Sequence, residues 1–227
     1  YWYGYHTGYD FTSDTNQPPA TGYVKDYTNR RCLYTIRWWR RTFAFDTTST
    51  YAFGYSLGGT YSMHLGLVNP ELVAATMSSA GKVDFSFESD PEFLSAFNPG
   101  RPYRLSLSNL WGTTATNLAC SEELPIYSEM NDDSLAARAA ATGAAFLVNF
   151  AGRHDLTVGW AEKRGFYAAM ESHRQGGIQF WDNRDHAGLL YPGALSPMSD
   201  PRYLYRFKSN LSWPAFSRCS ANGDPGE

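Results

Sequence analysis

The chain has 227 residues, a formal net charge of −3 at pH 7, 43% hydrophobic residues and 18% charged ones. That balance is globular rather than disordered, and the length allows a sizeable core. It gives no basic footprint for a nucleic-acid partner, and no apolar run approaches the ~20 residues that span a bilayer.

The chain opens on rings, Tyr1-Trp2-Tyr3-Gly4-Tyr5-His6, which suit either a cleft lining or the cover of a neighbouring surface. Residues 10–27 are a loop rich in Asp, Thr, Pro and Gly. Thr28 or Asn29 caps a predicted helix over 30–43, with Cys32, Ile36, Trp39 and Phe43 on its apolar face. A polar turn at 46–50 leads into an apolar strand, 51–55, and a helix running to about 68, where Asn69-Pro70 breaks it. Leu72 to Met77 reads as a second buried strand.

Residues 82–133 lose periodicity and carry four prolines, the mark of a functional insertion or a lid. A short Ala-rich helix at 134–141 is followed by the strand 144–150. A helix over 157–174 buries Val158, Ala161, Phe166, Ala169 and Met170, and the strand 177–181 closes the series. Strands alternating with helices imply a mostly parallel α/β sheet covered on both faces.

Cys32, Cys120 and Cys219 permit one disulfide at most. Cys32 falls in a helix and reads as a small buried hydrophobe; Cys120 and Cys219 lie in loop-like sequence and could pair in an oxidising compartment. No His-x-x-x-His, Cys-x-x-Cys, phosphate-cradling loop or dinucleotide fingerprint is present, so neither a metal nor a cofactor is expected.

The segment Gly54-Tyr55-Ser56-Leu57-Gly58 carries the chemistry. Between a strand and a helix, Gly-x-Ser-x-Gly forms a sharp turn that lifts the hydroxyl off the sheet, and Gly54 and Gly58 are read as leaving room for the close backbone approach. Asp155 follows the strand 144–150 and His186 follows the last strand. Loops after the carboxyl ends of parallel strands share one edge, so the three can meet. Each has a plainer reading as well: Ser56 as a helix N-cap, Asp155 as the cap of the helix near 157, His186 as a surface histidine, with Asp182 the rival acid.

The segments Gly54–Gly58, Gly152-Arg153-His154-Asp155 and Asp185-His186-Ala187-Gly188, in that order, resemble the nucleophile, acid and histidine segments of the α/β-hydrolase family. Within it the likeness is to extracellular esterases and prolyl-oligopeptidase-like enzymes. The resemblance implies Ser56 as nucleophile, His186 as general base and acid, Asp155 as the group orienting the imidazole, and the Leu57 backbone N–H as one oxyanion donor. It further implies a serine hydrolase cleaving a small-molecule or polymer carboxylic ester. The alternatives are a prolyl-oligopeptidase-like peptidase and a non-catalytic binding module on the same fold.

In that family the nucleophile follows several earlier strands, which have no counterpart before Ser56. Residues 1–227 therefore read as one α/β-hydrolase catalytic domain, incomplete at its N-terminus. The aromatic content and the segment Ser212-Trp213-Pro214-Ala215-Phe216 resemble extracellular hydrolases that continue into an accessory β domain.

Overall fold

A computed structural model describes residues 3–13, 15–86, 103–121, 124–155, 157–186 and 200–212. Two sheets organise it. The larger has four parallel strands in the order β3 (Tyr51–Tyr55), β4 (Ala75–Ser79), β6 (Phe146–Gly152) and β7 (Gly177–Asp182). The smaller joins β1 (Tyr5–His6) antiparallel to β2 (Tyr23–Lys25), which runs parallel to β5 (Ala119–Cys120).

Alternation along the central strands assigns the two faces of the large sheet. Leu147 points to one side with Met63 and Leu67 of helix α2 (Leu57–Val68), and with Phe166 and Met170 of helix α6 (Ala161–Ser172). Helix α5 (Asp132–Ala139) adds Leu135 and Ala136 to this layer. Each of these fully buried large side chains contributes roughly 1.5–3 kcal/mol. Met77, Val148 and Phe150 face the other side, against Leu204 and Phe207 in and after a 3₁₀ segment at Pro201–Arg206.

Helix α1 (Tyr27–Thr42) begins three residues earlier than the sequence pattern suggests, and its buried face is rotated. Leu33 and Ile36 pack against Leu65, Leu72 and Val73, whereas Trp39 and Phe43 are more than half exposed and Cys32 is only partly covered. Counting the rings as core placed the stripe on the wrong side. Leu72 likewise belongs to a 3₁₀ turn (Pro70–Leu72), so β4 starts at Ala75 rather than 72.

Within 82–133 the described residues include regular elements. Helix α3 (Tyr103–Trp111) and the short helix α4 (Ile126–Glu129) flank β5. Leu107, Trp111, Ile126 and Tyr127 form a core with Tyr3 and Val24, and the Trp111 indole N–H donates to the Gly4 carbonyl at 2.8 Å. Residues 87–102 lie outside the described set, as does Cys219. Cys120 is buried in this second core. No helix among the described residues is long and apolar enough to cross a membrane.

Candidate active site

The strand β3 and helix α2 meet at Ser56 with almost no connecting chain. Ser56 holds φ 54° and ψ −123°, a conformation that costs a non-glycine residue on the order of 1–3 kcal/mol. The turn persists because it is held from both sides. The Ser56 N–H donates to the Ser79 carbonyl of β4 at 2.8 Å, and the Thr60 N–H closes the first helical turn onto the Ser56 carbonyl at 3.0 Å. The Ser56 hydroxyl makes no capping bond to helix α2, which removes the plain N-cap reading.

The two motif glycines are not equivalent. A Cβ on Gly54 would sit 2.0 Å from the Gly58 carbonyl oxygen and 2.6 Å from the Gly59 nitrogen, whereas one on Gly58 would meet nothing within 4 Å. Gly59 is the second crowded position, 2.7 Å from the Ser78 hydroxyl and 2.9 Å from the Ser79 carbonyl. The expectation that Gly58 relieves the close approach is therefore corrected to Gly59. The room is needed where the helix backbone rests on the ends of β3 and β4.

Ser56, Asp155 and His186 lie together at the carboxyl edge of the sheet. The Ser56 Oγ is 2.9 Å from His186 Nε2, and Asp155 Oδ2 is 2.9 Å from His186 Nδ1. With Nδ1–H donating to the carboxylate, Nε2 is free to accept from the serine hydroxyl. Asp155 is almost fully buried and its other oxygen is also used: Oδ1 accepts the backbone N–H groups of Thr157 and Val158, each at 2.9 Å. The carboxylate thus shapes the turn that follows it and fixes the imidazole with the remaining oxygen. It does not cap helix α6, which starts at Ala161 rather than 157 with Trp160 as its N-cap, so the capping reading is corrected to a turn. Leu57 is the first residue of helix α2, where backbone N–H groups have no intrahelical acceptor and the helix dipole favours negative charge.

The rival acid is otherwise engaged. Asp182 accepts the Arg184 guanidinium through both oxygens at 2.7 Å and also its backbone N–H at 3.0 Å. Asp185, next to the histidine, acts on Tyr55 instead, whose phenol is pushed up first by burial, then by the Asp155 and Asp185 charges. His64 is buried in helix α2, held down to about 4 by burial and then by Arg138, with Nε2 3.7 Å from a Glu129 oxygen. His6 clasps the β1–β2 loop through the Thr21 carbonyl and the Gly8 N–H. His154 is exposed beside Asp155, and His173 is the C-terminal cap of helix α6. Among the described residues no group of three or more His, Cys, Asp or Glu could hold a metal ion.

Sequence reasoning missed a buried charged cluster behind this edge. Glu162 accepts the Val83 N–H at 2.9 Å and contacts both the Lys82 and Lys163 ammonium groups, while the Asp132 N–H donates to the Val83 carbonyl at 2.8 Å. It ties the loop after β4 to the start of helix α6. Charged residues at 162 and 163 read as a solvent face in a periodicity count, so nothing local in the sequence signals the pairing.

No family model matches the chain, and no curated protein is similar to it in sequence. Solved structures are similar in fold. The Staphylococcus aureus fluorophosphonate-binding serine hydrolase FphF matches with TM-score 0.53 at 13% identity, over 85% of this chain and 67% of that one. An acylaminoacyl peptidase matches with TM-score 0.55 at 13% identity, over 84% of this chain and 28% of that one. Porphyromonas gingivalis dipeptidyl peptidase 4 matches with TM-score 0.52 at 14% identity, over 71% of this chain and 20% of that one. The chain has the α/β-hydrolase fold, and it spans about a fifth of the dipeptidyl-peptidase chains it matches.

Proposed function

We propose that this chain carries the catalytic machinery of a serine hydrolase that cleaves a carboxylic ester, in a small molecule or a polymer, through an acyl-enzyme. The supporting observation is the pair of 2.9 Å contacts that run from the Ser56 hydroxyl through the His186 ring to Asp155. Three different strand ends supply these groups, and a chance surface serine has no reason to sit in such a relay.

In this reading the Ser56 oxygen attacks the ester carbonyl carbon as its proton passes to His186 Nε2. The carbonyl oxygen takes the negative charge and is met by the Leu57 N–H at the head of helix α2. His186 then gives its proton to the departing alkoxide, which leaves as the alcohol, and Ser56 holds the acyl group. A water molecule repeats the sequence, its proton going to His186 and returning to Ser56 as the carboxylic acid leaves. Asp155 keeps the imidazole in the productive tautomer and offsets the charge it gains.

A second reading, a serine peptidase, draws on the names of two neighbours, the acylaminoacyl peptidase and the dipeptidyl peptidase. The machinery is the same and the leaving group differs. Hydrolysis of a short-chain nitrophenyl ester and of an aminoacyl amide by the same preparation separates the two. Ser56→Ala lowers whichever activity is found by at least about 10⁴-fold while the melting temperature stays near wild type. A folded protein that cleaves neither substrate is a binding module on this fold, and the proposal fails.

A further inference from the structure

The histidine has a long way to come. Strands β3 and β7 are the two edges of the four-stranded sheet, so three inter-strand steps, on the order of 14 Å, separate the strand that delivers Ser56 from the one that leads to His186. Only three residues separate the end of β7 at Asp182 from His186, so the four steps along the chain reach at most about 14 Å when fully stretched. The loop therefore leans across the end of β6, and the imidazole covers the remaining distance.

On the β7 and β6 side this loop is well fastened. Asp182 clamps Arg184, the Arg153 N–H donates to the Asp182 carbonyl at 2.8 Å, and the His154 N–H donates to the Arg184 carbonyl at 3.2 Å. The Arg184 guanidinium also lies over the Phe150 and Phe180 rings. These bonds fasten the loop to its own strand and to the end of β6, and none of them reaches β3. The working contact of His186 is at the other end, toward β3.

There Tyr55, the residue before the nucleophile, donates its hydroxyl to the His186 backbone carbonyl, a contact across 131 positions of sequence. Its ring lies 5.2 Å from the imidazole at 41°. The side chain is 46% exposed, so core packing does not account for its placement. Burial, and then the Asp155 and Asp185 charges, keep the phenol protonated and hence a donor.

We propose that Tyr55 is a positioning residue that anchors the histidine loop to the nucleophile strand, setting the distance between His186 Nε2 and the Ser56 hydroxyl. One rigid strand end thereby presents both the attacking oxygen and the tether for its base. The inference rests on the serine-hydrolase reading given above.

The test is Tyr55→Phe, which keeps the ring and removes only the hydroxyl. The variant lowers kcat by about 5- to 100-fold, the scale on which small misplacement of a catalytic group acts, with KM within about 2-fold of wild type. Fluorophosphonate labelling of Ser56 slows in parallel, and the low-field proton resonance of His186 Nδ1 broadens as the loop gains freedom. Tyr34→Phe, an exposed tyrosine on helix α1, changes none of these. Wild-type kcat in Tyr55→Phe overturns the proposal, and so does a rise in KM at constant kcat, which would make Tyr55 a substrate contact. If the wild-type protein neither hydrolyses ester or amide nor labels at Ser56, the hydrolase reading has failed on its own. The Nδ1 resonance then decides the tether: unchanged between wild type and Tyr55→Phe, it refutes the anchoring role.

Discussion

Asp155→Asn separates the orienting role of this carboxylate from its structural one. In the folded protein Oδ1 accepts two backbone N–H groups while Oδ2 faces His186 Nδ1. An asparagine can place its single carbonyl oxygen on only one of these sides. Against the Thr157 and Val158 N–H groups it keeps two hydrogen bonds worth about 1 kcal/mol each; turned toward His186 it forfeits both and sets its NH₂ against two donors. The amide oxygen therefore stays on the backbone side, and the NH₂ faces the imidazole. A donor at that place forces the ring proton onto Nε2, where it meets the serine hydroxyl as a donor and can no longer accept. The expected fall in kcat is about 10⁴-fold, or ~5.5 kcal/mol of transition-state stabilisation, with stability lowered by less than about 1 kcal/mol. Initial rates on a nitrophenyl ester and a denaturant melt of the same preparation read the two effects separately. A variant that retains more than a tenth of the wild-type kcat would refute the reasoning, because the tautomer would then not depend on Asp155.

The elbow and the buried acids make independent predictions. Gly54→Ala should lower stability by several kcal/mol and abolish activity, since its Cβ would lie 2.0 Å from a backbone oxygen, whereas Gly58→Ala should fold and melt like wild type. Equal behaviour of the two in thermal melts would contradict the geometry. Burial, then Asp84 and Glu162, push the Asp133 carboxyl up to about 7, so the folded state holds a proton that the unfolded state has already lost. The sign follows from linkage: the stability that Asp133 contributes falls as pH rises from the unfolded value near 4 to about 7 and then levels off. Asp132, also raised by burial, adds a fall of the same sign. Asp133→Asn should flatten that limb of the melting temperature against pH, and an unchanged slope would count against it.

The strand 51–55 and the helix to residue 68 were legible because an apolar run, a Gly-flanked serine and an Asn-Pro stop stand in succession. The order of the three strand-end residues was equally plain, since the βα alternation assigns each to the same sheet edge. What escaped was non-local. The strands at Tyr5–His6 and Ala119–Cys120 have two residues each, too short to show alternation. Helix α6 buries Glu162 and Lys163 but leaves Ala161 exposed, because the partners that make a charge tolerable there come from Lys82 and Val83. The face of helix α1 was misjudged because exposed Trp39 and Phe43 look like core to any count of apolar residues. Tyr55 gave no signal at all, since its value lies in a carbonyl 131 residues away.

Covalent labelling with a fluorophosphonate, followed by peptide mapping, tests the central claim most directly. A serine activated by His186 and held at the head of helix α2 reacts, while ordinary surface serines do not. The account predicts one label per chain, on Ser56, absent in Ser56→Ala and strongly reduced in His186→Ala. Label that persists in Ser56→Ala, or a folded wild-type protein that takes up none, would contradict it.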